Sequence, residues 1–194
     1  MKERPILFSA PMVRAILDGR KTQTRRVMKP QPLEGIERQF PFPRIKDGNL
    51  YFHAYETDEF PMWMHHIKCP HEVGMRLWVR ETHWQYMNRL EVAGYCADGE
   101  QTFEHHVIKV PSIHVPRWAS RITLEITGVR VERLQDITEE DAKAEGAGGE
   151  RYSGQGFEHC IHREAFRTLW ESINGPGTWE LNPWLWVIEF RRIA

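Results

Sequence analysis

The chain of 194 residues is long enough to bury a sizeable core, and 41% of its residues are hydrophobic, so the composition predicts a folded protein. No stretch approaches the roughly 18 consecutive apolar residues of a transmembrane helix, and polar residues follow the first methionine too soon for a signal peptide. The three cysteines, Cys69, Cys96 and Cys160, favour a reducing compartment over a disulfide framework. We therefore expect a cytoplasmic protein without a membrane partner.

Positive charge is concentrated at the start of the chain. The first 30 residues carry eight Lys and Arg against two acidic residues, a net charge of +6, whereas the whole chain has a net charge of −1. A basic segment in a near-neutral protein predicts a site for an anionic ligand. The alternative is a solvated turn with an ordinary basic face.

The first elements in chain order are a short apolar strand at residues 5–9 and an amphipathic helix at 11–18, for which Gly19 is the C-terminal stop. A mixed stretch rich in proline, aromatic residues and histidine follows at 29–74 and reads as an insertion. Over residues 76–84 the side chains alternate between two faces, which predicts a strand. A second insertion is expected at 88–116.

The second half of the chain has the clearest patterns. Apolar residues recur at every second position over 120–134, which predicts a strand with a bulge or turn at Thr127-Gly128. Helices are predicted at 138–145, which begins with a capping box, and at 158–172. A glycine-rich loop lies between them at 146–156. The last strand, 184–193, is apolar on both faces and is therefore expected to be central.

Two groups of histidine and cysteine are candidate metal ligands, because zinc prefers four such side chains in a tetrahedral array. They are His65, His66, Cys69 and His71 in the first group, and His159, Cys160 and His162 in the second. Their spacings match no strong zinc signature, and the chain has no glycine-rich phosphate loop. We predict neither a metal nor a cofactor.

The turn after the first helix carries two chemically reactive groups. Lys21 and Thr24 supply an amine and a hydroxyl, the parts of a nucleophile activated by a base. Such a pair needs a backbone turn, because residues at this spacing in an extended strand would point apart. The alternatives are that Lys21 contacts a phosphate and that Thr24 is a strand-surface residue.

Four segments in this order resemble the ASCH domains, relatives of the PUA RNA-binding domains. They are ILDGRKTQTRR (16–26), GMRLWVRET (74–82), DITEEDAKAEG (136–146) and PWLWVIEF (183–190). The resemblance spans the full length and points to the longer ASCH proteins of phage and prophage genomes. It implies an α+β, mainly β, fold: a PUA-like β-barrel with flanking helices, in a single domain of residues 1–194 with insertions at about 29–74 and 88–116.

One branch of ASCH proteins consists of bacterial amidohydrolases that remove the acyl group from N4-acetylcytidine. The resemblance places their lysine, threonine and glutamate on Lys21, Thr24 and Glu145. A lysine can serve as the base when burial or neighbouring positive charge lowers its pKa. The glutamate would protonate the departing cytosine amine or position the water that clears the acyl group. The substrate expected on this basis is an N4-acylated cytidine or a related modified nucleoside.

An RNA-binding module, with a ribonuclease as its catalytic variant, is the alternative. Gln23 and Arg25 stand where the amidohydrolases are expected to have apolar residues, and the more basic turn favours an anionic ligand. Arg14, Arg20 and Arg26 add positive charge there, and residues 117–121 add two arginines and a tryptophan. The residues predicted to bind substrate or RNA are Arg20, Arg25, Arg26, Arg80, Glu81 and Trp78. Among them, Arg26, Arg80 and Glu81 can equally form a structural ion pair, and Trp78 can be a core residue. An interaction protein without catalysis is the third reading.

Overall fold

The computed structural model describes residues 2–39, 41–53, 67–103, 106–148 and 162–194. The strands in these residues are β1 (Glu3–Leu7), β2 (Gln23–Val27), β3 (Phe42–Lys46), β4 (Asn49–His53), β5 (Ile67–Lys68), β6 (Arg76–Arg80), β7 (His83–Tyr86), β8 (Val92–Tyr95), β9 (Val107–Val110), β10 (Thr123–Arg133) and β11 (Trp184–Arg192). The helices are α1 (Ala10–Leu17), α2 (Ile36–Gln39), α3 (Glu139–Ala144) and α4 (His162–Asn174). None of these helices is long and apolar enough to cross a membrane. The mixed α+β, mainly β character predicted from the sequence is confirmed.

The strands form three sheets. The largest has the order β1-β6-β10-β11-β2, and the two smaller sheets have the orders β3-β4-β5 and β8-β7-β9. Among the described residues the five-stranded order is open, so closure into a barrel stays a prediction. The chain divides into two compact units. Unit 1 contains Met1–Thr22, Gly74–Ile126 and Phe190–Ala194, and unit 2 contains Gln23–Val73 and Thr127–Glu189.

Unit 1 begins with a parallel pair, in which β1 lies beside β6, and β6 continues antiparallel to the start of β10. Helix α1 starts with a proline in its first turn, and its apolar face buries Val13, Ala15 and Ile16. Gly19 follows the helix with φ +72°, a left-handed conformation that favours glycine, which confirms the predicted stop.

Unit 2 is organised by β2 and β11, which pair antiparallel with Thr24 opposite Ile188 and Arg25 opposite Val187. Five consecutive residues of β11 are buried, as expected of a central strand. The predicted N-cap of α3 is also confirmed, because the Asp141 amide donates a 3.1 Å hydrogen bond to the Thr138 hydroxyl. The core beneath α3 and α4 contains Leu134, Ile137, Ala142, Phe166, Trp170, Trp179 and Leu185.

The strand expected at 5–9 lies two residues earlier, as β1, and the other elements agree to within a few residues apart from two. The strand expected at 76–84 is divided, because β6 ends at Arg80 and β7 starts at His83 in a different sheet. The helix expected at 158–172 is described from His162 to Asn174, and residues 158–161 lie outside the described residues. The stretches 29–74 and 88–116 contribute β3 to β5 and β8 to β9. The glycine-rich loop is described only for residues 146–148.

Candidate active site

The three residues predicted to be catalytic are all buried. Polar or charged side chains with less than a tenth of their surface exposed are, within the described parts of the chain, Lys21, Gln23, Thr24, Arg25, Glu81, His83, Thr123 and Glu145. Buried polar groups are costly unless they are hydrogen-bonded or paired. The basic turn is therefore largely an interior feature, and the solvated-turn alternative is wrong for Lys21, Thr24 and Arg25.

Lys21 belongs to unit 1 and precedes β2. It is 2% exposed, and its backbone N–H donates to the Ala15 carbonyl at 2.9 Å, so the chain folds back onto the end of α1. Its Nζ lies 5.4 Å from the centroid of the Phe8 ring, within reach of a cation–π interaction. Arg20, the preceding residue, is exposed and forms a 2.8 Å ion pair with Asp18.

Unit 2 contains Thr24 and Glu145. Side chains alternate along a strand, so Gln23 and Arg25 lie on one face of β2 and Thr24 lies on the other together with Arg26. The Gln23 amide donates to the Asp141 carbonyl and carboxylate at 2.7 and 2.9 Å, which fixes this face of β2 against α3.

Arg25 is the centre of the polar contacts on that face. Its side chain is 0% exposed. One terminal nitrogen, Nη2, lies 2.8 Å from Glu132 Oε2 and 3.1 Å from Asp141 Oδ2, and the other, Nη1, lies 3.3 Å from Glu145 Oε1. A guanidinium is suited to this task because its donors lie in a rigid plane that can serve several carboxylates. The buried positive charge of Arg25 is thus compensated by three acids.

Glu145 ends α3 as its C-cap, and Gly146 follows with φ +78°. The side chain is 4% exposed. Besides its ion pair with Arg25, it interacts electrostatically with Arg26: burial lowers the pKa of Arg26, and the negative charge of Glu145 opposes this effect. Glu145 therefore interacts with two arginines that point to opposite faces of β2.

Arg130 extends the same network along β10. Its guanidinium contacts Glu132, Asp141 and Glu189, and one nitrogen also donates to Gln23 Oε1 at 3.3 Å. Burial would raise the pKa of Asp141, but the hydrogen bond from Gln23 and the charges of Arg25 and Arg130 outweigh it and lower that pKa. Arg25 and Arg130 together face four carboxylates, so this part of unit 2 has no excess of positive charge.

The remaining predicted binding residues lie in unit 1. Trp78 is buried against Val115 and Ala119, in agreement with a core role. The Arg80 guanidinium stacks 4.9 Å from the Trp78 ring centroid and donates to the Ile113 carbonyl at 3.2 Å.

Glu81 is buried and receives two hydrogen bonds from Arg121, at 2.9 and 3.2 Å. Arg121 also binds Asp98, and these two carboxylates outweigh burial and raise its pKa. Arg14 donates to the Ala97 carbonyl at 3.2 Å. The structure thus pairs Glu81 with Arg121, an arginine of the 117–121 segment that the sequence motifs did not connect to it.

The sequence motifs select Glu145 for a catalytic role, and they pair Arg25 with none of the three acids that bind it. Glu132 and Arg130 occupy the polar positions of the alternating strand β10, and Asp141 was recognised only as part of a capping box. Polar residues at these positions would show the same sequence pattern if they faced solvent. Their pairing with β2 is visible only when the strands and α3 are assembled.

The histidine and cysteine groups give no metal site among the described residues, where no three potential ligands cluster. Cys69 is buried, its thiol donates to the His71 carbonyl, and burial raises its pKa. His162 contacts the Ala147 carbonyl through Nδ1 at 2.8 Å. The other four residues of these groups, His65, His66, His159 and Cys160, lie outside the described residues.

Comparison with known proteins gives two similar solved structures. One is an ASCH domain from Lactobacillus crispatus JV V101, with 14% identity and a TM-score of 0.40 over 98% of this chain and 79% of that one. The other is protein EF3133 from Enterococcus faecalis V583, with 10% identity and a TM-score of 0.41 over 100% of this chain and 80% of that one. No protein-family model matches the chain, and neither does any curated protein. With identities below 25% and TM-scores below 0.5, neither structure transfers a family or an activity to this chain.

Proposed function

We propose that the protein is an amidohydrolase that removes the acyl group from an N4-acylated cytidine or a related modified nucleoside. Lys21 is the base, Thr24 the nucleophile and Glu145 the acid or base of the second half of the reaction. The proposal is supported most by the burial of the basic turn. The cations of the turn are buried or paired with acids, so the turn provides buried reactive groups and little free positive charge.

The chemistry takes two steps. The Thr24 hydroxyl transfers its proton to Lys21 as Oγ attacks the amide carbonyl carbon, and the bond from that carbon to the cytosine N4 breaks while N4 gains a proton. Water then cleaves the acyl ester on Thr24, so that cytidine and the free acid are the products. A general base is needed in the first step because a threonine hydroxyl is a weak nucleophile on its own.

An RNA-binding clamp needs cations that reach phosphates from the surface. Arg25 and Lys21 are buried, and Arg20 is exposed but paired with Asp18. Unit 1 nevertheless has one exposed aromatic residue beside a basic one, Trp118 after Arg117, which is a feature that single-stranded nucleic acids use. RNA binding is therefore the second candidate, and it is measured on the same purified protein by a separate salt titration.

The test is incubation of the purified protein with N4-acetylcytidine, followed by absorbance as cytidine forms. Lys21→Ala and Thr24→Ala are each expected to abolish turnover. Arg167→Ala is the matched control, because Arg167 pairs with Glu180 on the surface of unit 2 and is expected to leave turnover unchanged.

Two outcomes would reject the proposal. The first is a folded parent protein that releases no cytidine. The second is turnover that survives in both the Lys21 and Thr24 variants. In either case, a salt titration of RNA binding decides on the second candidate, because several phosphate contacts make affinity fall steeply with salt.

A further inference from the structure

We infer that the guanidinium of Arg121 is a platform on which the base of the nucleoside stacks, and that Asp98 at the rim of this platform selects a base edge that carries an N–H group, such as that of cytosine. The inference rests on the proposed function and deepens it, because it names the residues of unit 1 that recognise the base. The sequence motifs give Arg121 no role beyond the positive charge of residues 117–121.

Four hydrogen bonds fix the plane of the Arg121 guanidinium. Nε and Nη2 donate to the two carboxylate oxygens of Glu81 at 2.9 and 3.2 Å. Nη1 and Nη2 donate to the two carboxylate oxygens of Asp98 at 2.9 and 2.6 Å. Two bidentate pairs hold a guanidinium in one orientation, since its donors lie in a rigid plane. The platform is therefore set before a ligand arrives, which lowers the entropic cost of stacking.

The ring of Tyr95 covers one face of this plane. The Arg121 Cζ lies 4.0 Å from the centroid of the ring, which is a stacking distance. The Tyr95 hydroxyl donates to the Ala119 carbonyl at 3.1 Å and so fixes the ring in turn. The Arg121 side chain is 28% exposed, and the guanidinium face opposite Tyr95 is covered by none of these contacts. A rigid guanidinium face of this kind is a surface on which nucleobases stack.

The charge around the platform determines which base edge it accepts. Arg121 contributes one positive charge and Glu81 and Asp98 contribute two negative charges, so the group has a net charge of −1. Asp98 is exposed, and each of its oxygens accepts a hydrogen bond from Arg121, which leaves further lone pairs for a donor on the ligand. Such a rim favours the N–H at N4 of cytosine or of its acylated form, and it disfavours the carbonyl at O4 of uracil.

The platform lies in the same unit as Lys21, the proposed base. Asp98 ends the 3-10 turn Cys96–Asp98, which packs against α1. Arg14 of α1 fixes this contact by its 3.2 Å hydrogen bond to the Ala97 carbonyl. The backbone of Lys21 folds back onto the end of the same helix. Helix α1 therefore connects the rim of the platform with the proposed base.

A second connection runs through Phe8. Its backbone N–H donates to the Arg80 carbonyl at 3.3 Å, directly before Glu81 in the chain. Its ring is the one that Lys21 Nζ approaches to 5.4 Å. Two separate contacts within unit 1 thus link the proposed base with the residues that hold Arg121.

Calorimetric titration with cytidine and with uridine tests the platform without turnover. The parent should bind cytidine about 10-fold more tightly than uridine, because only cytidine presents an N–H to the rim. Arg121→Lys keeps the positive charge but lacks the planar face, so it should weaken cytidine binding by about 10-fold, as expected for the loss of one stacking contact. Asp98→Asn should remove most of the preference for cytidine over uridine.

Arg191→Lys is the matched control, because Arg191 pairs with Glu125 in unit 1 and its side chain is exposed. It should bind cytidine as the parent does. If Arg121→Lys fails to fold, Asp98→Asn still decides, since Asp98 is exposed. Its readout is the ratio of the cytidine and uridine affinities, which a merely structural role would leave unchanged.

Turnover of N4-acetylcytidine gives a second readout. Stacking holds the base equally in the substrate and in the transition state, so Arg121→Lys should raise KM by about 10-fold and leave kcat within about 2-fold of the parent value. A fall in kcat at constant KM would overturn the assignment of Arg121 to base binding.

The two measurements separate this inference from the proposed function. Cytidine binding that is unchanged in folded Arg121→Lys, or a parent without a preference for cytidine over uridine, would overturn the inference, while turnover would still support the proposed function. A parent that prefers cytidine through Arg121 and Asp98 but does not hydrolyse N4-acetylcytidine would reject the proposed function and keep the base site. A parent that neither binds cytidine nor hydrolyses N4-acetylcytidine would reject both.

Discussion

Replacing Arg25 by methionine tests how far the network in unit 2 supports the fold. The substitution keeps much of the side-chain volume but removes the cation that three carboxylates share. Glu145 is 4% exposed, whereas Glu132 and Asp141 are about one fifth exposed and can be partly hydrated. The loss should therefore come mainly from the buried Glu145 carboxylate, which loses its ion pair with Arg25.

Breaking a buried pair by removing one partner typically costs about 3–5 kcal/mol of unfolding free energy, and we expect Arg25→Met to fall in this range. Arg20→Met is the control, because the Arg20–Asp18 pair has both side chains more than half exposed and such pairs contribute about 0–1 kcal/mol. Urea unfolding followed by tryptophan fluorescence measures both. The double variant Arg25→Met with Glu145→Gln should recover part of the loss, since the buried negative charge is gone.

Two results would refute this reasoning. One is a loss for Arg25→Met that does not exceed the loss for Arg20→Met, which would mean that the buried carboxylates tolerate the absence of the guanidinium. The other is a double variant that is less stable than Arg25→Met alone. If Arg25→Met fails to fold, Arg25→Lys keeps a cation but cannot serve three acids at once, and it should give an intermediate loss in the same assay.

Two further predictions concern single contacts. The pKa of Asp141 is lowered in the folded protein, so its contribution to stability is present above the unfolded value of about 3.9 and is lost as pH falls through the folded pKa. The difference in unfolding free energy between the parent and Asp141→Asn should therefore shrink between pH 7 and pH 3, and a constant difference would contradict the assignment. In unit 1, a Cβ on Gly94 would lie 1.8 Å from Gln101 Oε1, the far end of a flexible side chain that has to shift, so Gly94→Ala should cost only about 1 kcal/mol, the low end of overpacking effects. Gln101→Ala makes room for the methyl group and should remove most of that cost in the double variant, as measured by urea unfolding.

Local patterns predicted the elements that depend on nearest neighbours. The stop at Gly19, the cap at Thr138 and the alternating strand now described as β10 follow from φ preferences, side-chain hydrogen bonding and a two-residue period. The division of the strand expected at 76–84 was not predicted, because the change of sheet after Arg80 leaves the alternation of side chains almost uninterrupted.

The candidate site also combines features that the sequence predicts with features that only the tertiary structure determines. Lys21, Thr24 and Glu145 were selected from motifs, and the sequence by itself determined that a basic turn and a helix ending in Glu-Gly exist. Only the tertiary structure decided that the charge of the turn is buried and compensated. Arg25 meets Glu132 and Asp141, which follow it by more than 100 positions in the chain, and no local pattern records which distant acid a buried arginine will find. Such partners are fixed by the pairing of β2 with β11 and the packing of α3, because burial makes an uncompensated charge too costly to retain.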